Sequence, residues 1–282
     1  MSYSSAPNSV RSLEQRIRNL EGSEHFALRR RVGMALVVVG QMLPEGAIKG
    51  GSAMALRYGR RTRFTQDLDA ARVKPLAQFR SDFEDALAAG WAGFTGRLIE
   101  KAAPRPAQVP RAYVMQPFEV KLAYRGQPWC TVKFELGHNE IGDADEPEYQ
   151  LADDLAALFI DIGLDAPQPV RVMPAHHQIA QKLHAVSEPG SERARDLVDL
   201  QLLDKGEHLD LHAVRLTCER LFQYRRQQPW PPAIEAGIGW DMLYQAAAED
   251  VDVLAELDAA VTWVNELVER IATTDATREN DH

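Results

Sequence analysis

The hydrophobic pattern changes its period once along this chain, and that change limits the folds open to it. In the first part, segments that alternate apolar and polar residues are interleaved with segments of helical period. Thr65–Val73, Pro117–Tyr124 and Trp129–Leu136 alternate, which predicts strands. Residues 24–43, 52–58 and 75–89 repeat at helical spacing. Beyond the acidic stretch 138–148, strands give way to helices: His176–Ser187, a segment capped by Ser191 and running to Leu203, and the run from Leu209 to Ala272. A mixed half followed by an all-helical half is an α+β plan, not a repeating βαβ one.

Local signals sharpen this plan. Residues 1–8 read as a loose tail, and Ser9 or Asn8 caps a helix through Leu13, Ile17 and Leu20. The helix from Glu24 is predicted to turn Phe26, Val32, Leu36, Val39 and Leu43 inward. Ala47-Ile48-Lys49 is a short strand that ends in a glycine pair. Arg125-Gly126-Gln127-Pro128 is a turn that makes a hairpin of the two later alternating segments. Residues 101–111 are Pro-rich and read as a loop. The expected division is residues 1–25 as tail and first helix, 26–172 as the core, 173–272 as the helical domain completing the active site, and 273–282 as a flexible tail.

Composition removes several classes. With 45% hydrophobic residues in 282, the chain can bury a sizeable core. It has no apolar run near the ~20 residues of a membrane span, and its first ten residues lack the basic-then-apolar plan expected of a signal peptide. Its two cysteines, Cys130 and Cys218, lie far apart and read as reduced thiols, so a cytoplasmic protein is expected. The formal charge of −9 speaks against a protein that coats nucleic acid. The cations are nevertheless clustered, at Arg29–Arg31, at Arg57, Arg60, Arg61 and Arg63, at Arg193 and Arg195, and at Arg225 and Arg226. A basic cleft on an acidic body and a solvated mixed surface fit that pattern equally.

Three segments carry chemistry. The first is Lys49-Gly50-Gly51-Ser52 followed by Asp67-Leu68-Asp69. Glycines let the backbone approach a ligand, and a helix that starts there offers free N–H groups to an anion such as a triphosphate. Asp67 and Asp69, two apart on a strand, face the same way while Leu68 enters the core. Two carboxylates on one face repel, and magnesium, which also takes phosphate oxygens, relieves that repulsion.

The second segment is the hairpin, where a third carboxylate is expected. Glu119 and Glu135 both have the form apolar–Glu–apolar, and Glu135 is preferred because its strand is the more apolar. The third segment is His176–His184 with Arg193–Asp199. Gln178 and Lys182 share a helix face, Asp196 is placed to pair with Lys182, and Arg193 and Arg195 suit phosphate or an RNA backbone. On the residues alone, a helical hairpin with a surface lysine explains this segment as well. His176, His177 and His184 lack the companions of a zinc site.

Taken together, these segments resemble the AbiEii/AbiGii nucleotidyltransferase toxin family, which includes the MenT toxins and belongs to the polymerase-beta nucleotidyltransferase superfamily. The resemblance runs from about Ala27 to the end. It is carried by Gly50-Gly51-Ser52, by Arg63-Phe64-Thr65-Gln66-Asp67-Leu68-Asp69, by Ala180-Gln181-Lys182, and by Arg195-Asp196-Leu197-Val198-Asp199. It implies a polymerase-beta-like core, a small mixed sheet with helices, ahead of the helical half. It implies an enzyme in which Asp67 and Asp69 hold magnesium and in which Lys182 and Asp196 are needed for activity; the third metal-site carboxylate, Glu135, comes from the hairpin reading and not from the family's motifs. Lys49, Gly50, Gly51, Ser52, Arg63 and Thr65 are then the nucleotide-binding candidates, and Gln178, Arg193 and Arg195 the substrate-binding ones.

MenT-like members add nucleotides, often pyrimidines, to the 3′ end of tRNA and so block translation. The resemblance therefore implies a nucleoside triphosphate substrate, a tRNA acceptor and a cognate antitoxin. Some members are silenced by phosphorylation two residues before the first Asp, a position held here by Thr65. The alternatives are transfer to a protein hydroxyl, or a module that binds nucleotide without turnover.

Overall fold

A computed structural model describes residues 3–20, 24–104 and 114–274. Most of the expected loop at 101–111 and of the tail at 273–282 lies outside these residues. The chain divides into two compact units. One comprises residues 1–60 and 64–173, the other residues 61–63 and 174–282.

The first unit is built on a seven-stranded mixed sheet. Its strands are β1 (Ala47–Lys49), β2 (Asp67–Arg72), β3 (Phe94–Glu100), β4 (Gln116–Tyr124), β5 (Gln127–His138), β6 (Glu148–Gln150) and β7 (Val170–Val172). Their order across the sheet is β3-β4-β5-β2-β1-β7-β6. β2 runs parallel to β5 and β1 parallel to β7, and the other pairs are antiparallel. Side chains of Leu68, Val120, Leu122, Phe134 and Leu136 enter the core, which is completed by α1 (Val10–Asn19), α2 (Glu24–Met42), α4 (Leu76–Ala89) and α5 (Asp153–Asp161). The remaining helix, α3 (Gly50–Tyr58), follows β1 without a break.

Several expectations are corrected by packing. The N-terminal tail is tied down rather than loose: the buried Tyr124 hydroxyl donates to the Pro7 carbonyl at 2.7 Å, and Tyr3 N–H donates to Asp161 at 3.1 Å. Ser9 does cap α1, accepting from the Ser12 N–H at 3.2 Å. α2 is buried all round from Met34 to Val39, so it has no single inward stripe, and Phe26 at its exposed start is 39% accessible. The hairpin turn has two residues, not four: Arg125 and Gly126 both have positive φ, 49° and 76°, and Tyr124 already pairs with Gln127. That geometry follows the twist of the flanking strands.

β3, β6, β7 and α5 were not anticipated. β6 and β7 have three residues each, too few to display a period, and they extend the sheet past the point where strands were expected to end.

The second unit is helical: α6 (Ala175–Val186), α7 (Arg195–Gly206), α8 (Leu211–Arg225), α9 (Trp240–Ala248) and α10 (Leu257–Ala272). Ser191 does not cap α7. Its carbonyl accepts from the Trp240 indole N–H at 2.6 Å, and the helix begins four residues later at Arg195. Asp210, which drew no notice in the sequence, caps α8 by accepting from the N–H groups of His212 and Ala213. None of the described helices is long and apolar enough to cross a membrane. This is an α+β fold.

Candidate functional site

In the first unit, the strand register assembles three carboxylates. Asp67 and Asp69 lie on β2 with Leu68 buried between them. Asp69 is in register with Glu135 of the parallel strand β5, and with Lys49 of the antiparallel strand β1. Residues in register share a face, so Lys49, Asp69 and Glu135 stand side by side across three strands. Asp67 stands one step along, beside Lys133, whose ammonium is 3.7 Å from its carboxylate.

The glycines belong to this arrangement. Gly50 has φ +63°, and a Cβ there would come 2.6 Å from a carboxylate oxygen of Asp69. Only glycine meets both demands. The first turn of α3 therefore lies against the Asp69 carboxylate, and its backbone N–H groups, from Gly50, Gly51 and Ser52, are among those a helix leaves without internal partners. The Ser52 hydroxyl is spent elsewhere. It is buried and donates to the Asp67 carbonyl at 2.5 Å, tying α3 to the start of β2, so Ser52 offers a ligand only its backbone. Lys49 extends toward Gly137, where an added Cβ would lie 3.0 Å from its ammonium.

Electrostatics separate the two hairpin glutamates. The Glu135 carboxyl is pushed above its ordinary range by partial burial, then by the neighbouring charges of Asp69 and Asp67. Glu119 is in register with Lys133, one strand further from the aspartates. A hydrogen bond from Lys101, 2.9 Å away, holds its carboxyl below the usual range. Glu135 is thus the neighbour of the pair, while Glu119 already has its cation.

The donor set suits a hard cation: all oxygen, negatively charged and mutually repelling. Among the described residues no three His, Cys, Asp or Glu side chains converge closely enough to cage an ion by themselves. A cation here would draw further oxygens from a ligand, which is how magnesium is held in phosphate complexes.

In the second unit the structure brings together a different group. The Lys182 ammonium lies 3.0 Å from Asp196 and 2.5 Å from Asp199. Arg63 grips Asp199 with two parallel bonds of 3.0 and 2.9 Å, and Arg193 donates to Asp196 at 2.6 Å. Both carboxylates are wholly buried and the Lys182 side chain is 5% accessible. Burial pushes the Asp196 carboxyl upward, but the charges of Lys182 and Arg193 and their hydrogen bonds outweigh it and hold it below the ordinary range.

Asp199, for which the sequence suggests no role, anchors two cations. The signal was available, since residues 196 and 199 share a face of one helix. Gln178, one turn before Lys182, is buried, Arg195 is exposed and Arg193 is 41% accessible. Thr65 lies part-exposed just before β2. The rings of His176 and His177 contact each other at a tilt of 44°, with centroids 4.5 Å apart. Both cysteines are free, and burial pushes the Cys130 thiol up to about 12 and the Cys218 thiol upward as well, so neither is a ready nucleophile.

Two comparisons bear on this arrangement. A family model described as nucleotidyl transferase AbiEii toxin, type IV toxin–antitoxin system, matches residues 41–270. Among solved structures, MenT4, a nucleotidyltransferase toxin from Mycobacterium tuberculosis H37Rv, is similar over 95% of this chain and 91% of its own. The TM-score is 0.54 at 14% identity, a likeness of fold. No curated protein sequence matches.

Proposed function

Because the chain belongs to the AbiEii family of nucleotidyltransferase toxins from type IV toxin–antitoxin systems, we propose that it transfers a nucleoside monophosphate, a pyrimidine one, from a nucleoside triphosphate to the 3′ end of tRNA. The observation that carries this reading is the row of Asp67, Asp69 and Glu135 on adjacent strands, with the start of α3 against Asp69.

In this reading, Asp67, Asp69 and Glu135 hold magnesium together with the triphosphate oxygens. Bound magnesium would neutralise developing charge and favour ionisation of the attacking hydroxyl. The backbone at Gly50, Gly51 and Ser52 receives phosphate oxygens, and Lys49 adds a positive charge beside Asp69. The 3′ oxygen of the acceptor bonds to the α-phosphorus, the bond to the bridging oxygen breaks, pyrophosphate leaves, and the hydroxyl proton passes to solvent.

Lys182 and Asp196 keep the part in activity that the family implies. Their cluster sets three cations (Arg63, Lys182, Arg193) against two carboxylates. One net positive charge remains, which favours phosphate groups. Gln178 and Arg195 belong with the substrate side of this reading. An antitoxin is the partner expected of a type IV toxin. A kinase-like one that phosphorylates Thr65 would add about two negative charges two residues from Asp67 and oppose the triphosphate.

The test is incubation of the purified protein with total tRNA, magnesium and each labelled nucleoside triphosphate in turn, beside Asp69→Ala. Labelled tRNA with the wild type and none with the variant is expected. Label on protein alone would replace the acceptor. Nucleotide binding without pyrophosphate release would make the chain a binding module and overturn the transferase reading.

A further inference from the structure

The sheet of the first unit has a second face, and on β3, β4 and β5 that face carries more cations than carboxylates. The core side is apolar. On the outward side, β5 presents Thr131, Lys133 and Glu135, β4 presents Glu119, Lys121 and Ala123, and β3 presents Thr95, Arg97 and Ile99. Lys101, just past β3, continues the ladder by donating its N–H to Pro117 at 3.0 Å. The cations are accessible: Lys133 at 78%, Lys121 and Lys101 at 48% each, and Arg97 exposed. Four cations thus share this face with two carboxylates, Glu119 and Glu135, leaving a net positive charge on these three strands although the chain as a whole carries −9.

The arrangement is a track rather than a scatter. Lys133 stands beside Asp67 in register. Lys121 lies on the neighbouring strand, one row along, and Arg97 lies directly opposite Lys121. Diagonal neighbours on adjacent strands are roughly 7–8 Å apart, and direct ones about 5 Å. Between these cations, small residues (Thr95, Gly96, Ala123, Thr131) leave a hollow of about 430 Å³ with Arg97 and Lys121 on its wall. Trp129 also lines it but is only 6% accessible, which leaves little ring for base stacking, so the hollow suits a phosphate backbone rather than bases.

We propose that the outward face of β3–β4–β5 docks the sugar-phosphate backbone of the RNA acceptor, with Arg97, Lys121 and Lys133 as successive phosphate contacts leading to Asp67. The proposal rests on RNA being the acceptor. Glu119 limits the track by holding Lys101 and by lying within 4.0 Å of Lys121.

The test compares wild type with the double variant Arg97→Ser/Lys121→Ser. Both sites are exposed, and a thermal melt checks that the fold is kept. Binding of total tRNA is measured by fluorescence anisotropy between 50 and 200 mM salt, with nucleotide binding and pyrophosphate release followed separately. The double variant should bind tRNA roughly ten-fold more weakly at the low-salt end, with a salt slope shallower by about 0.7–0.9 per lost contact. The KM for tRNA should rise while the KM for the triphosphate and the kcat at saturating tRNA hold, and Arg97→Lys/Lys121→Arg should restore binding.

Equal tRNA binding by wild type and double variant would overturn the docking face while leaving the transferase reading intact. Wild-type protein that labels a protein acceptor and binds no tRNA would overturn both. Loss of protein labelling in the double variant would assign the face to an acidic protein partner instead.

Discussion

The two groups of carboxylates in this molecule have opposite surroundings. Asp67, Asp69 and Glu135 sit on neighbouring strands, partly open to solvent, with like charges beside one another. Asp196 and Asp199 are wholly buried, and three cations from the same unit surround them. The first group has an ion pair with Lys133, at 3.7 Å from Asp67, and stands where an added cation could reach it. The second is paired by buried ion pairs within the protein. The same residue type therefore stands in two settings, one open to an added ligand and one paired inside the protein, and solvent access with neighbouring charge sets them apart.

Substitutions can break this contrast. The largest effect is expected from Asp69→Ala: nucleotide transfer should fall by about three orders of magnitude or more, since a metal clamp contributes several kcal/mol. Its melting temperature should stay level or rise, because a repulsive charge is removed; a variant that keeps its activity would remove the aspartate row from the chemistry.

Asp199→Ala should do the reverse. Taking the Asp199 carboxylate from Arg63, and leaving Lys182 with Asp196 alone, should cost about 3–5 kcal/mol in chemical denaturation. A stability change under about 1 kcal/mol would mean that the network is not a structural element.

Glu135→Gln and Glu119→Gln sharpen the assignment within the first group. The former should lower transfer by roughly ten- to a hundred-fold, as loss of a metal-site partner does, and the latter should leave it nearly unchanged. Equal losses would erase the distinction drawn from their surroundings.

Acid should separate the groups as well. The Asp196 carboxyl is held below its ordinary range in the folded protein, so its contribution is present above the unfolded value, about 4, and is lost as pH falls through the lower folded value. Wild type should lose stability below about pH 4, and Asp196→Asn, less stable at neutral pH, should lose less of what it has. The smallest effect is expected from Ser52→Ala, about 1–2 kcal/mol for the unpaired Asp67 carbonyl, measured by thermal melting.

Much of this was legible before folding was considered. Strand alternation placed Asp67 and Asp69 on one face with Leu68 inward. The sequence also offered Asp196, at the start of the next helix, as a partner for Lys182, and the two lie 3.0 Å apart. The short strands β6 and β7, the tethered N-terminal tail and the inward turn of the Ser52 hydroxyl were not legible. Each depends on partners more than ten residues away, and no local period encodes such a partner.

The sequence by itself determined the α+β plan, the aspartate pair and the glycines beside it, because these follow from periods of two and 3.6 and from the steric freedom of one residue type. Only the tertiary structure decided that Glu135 rather than Glu119 adjoins Asp69 and that Asp199 gathers Lys182 and Arg63. It alone made a basic face on an acidic chain. Register between strands and convergence of side chains from separate helices are long-range choices, settled by which packing buries the apolar faces and pairs the charges buried with them.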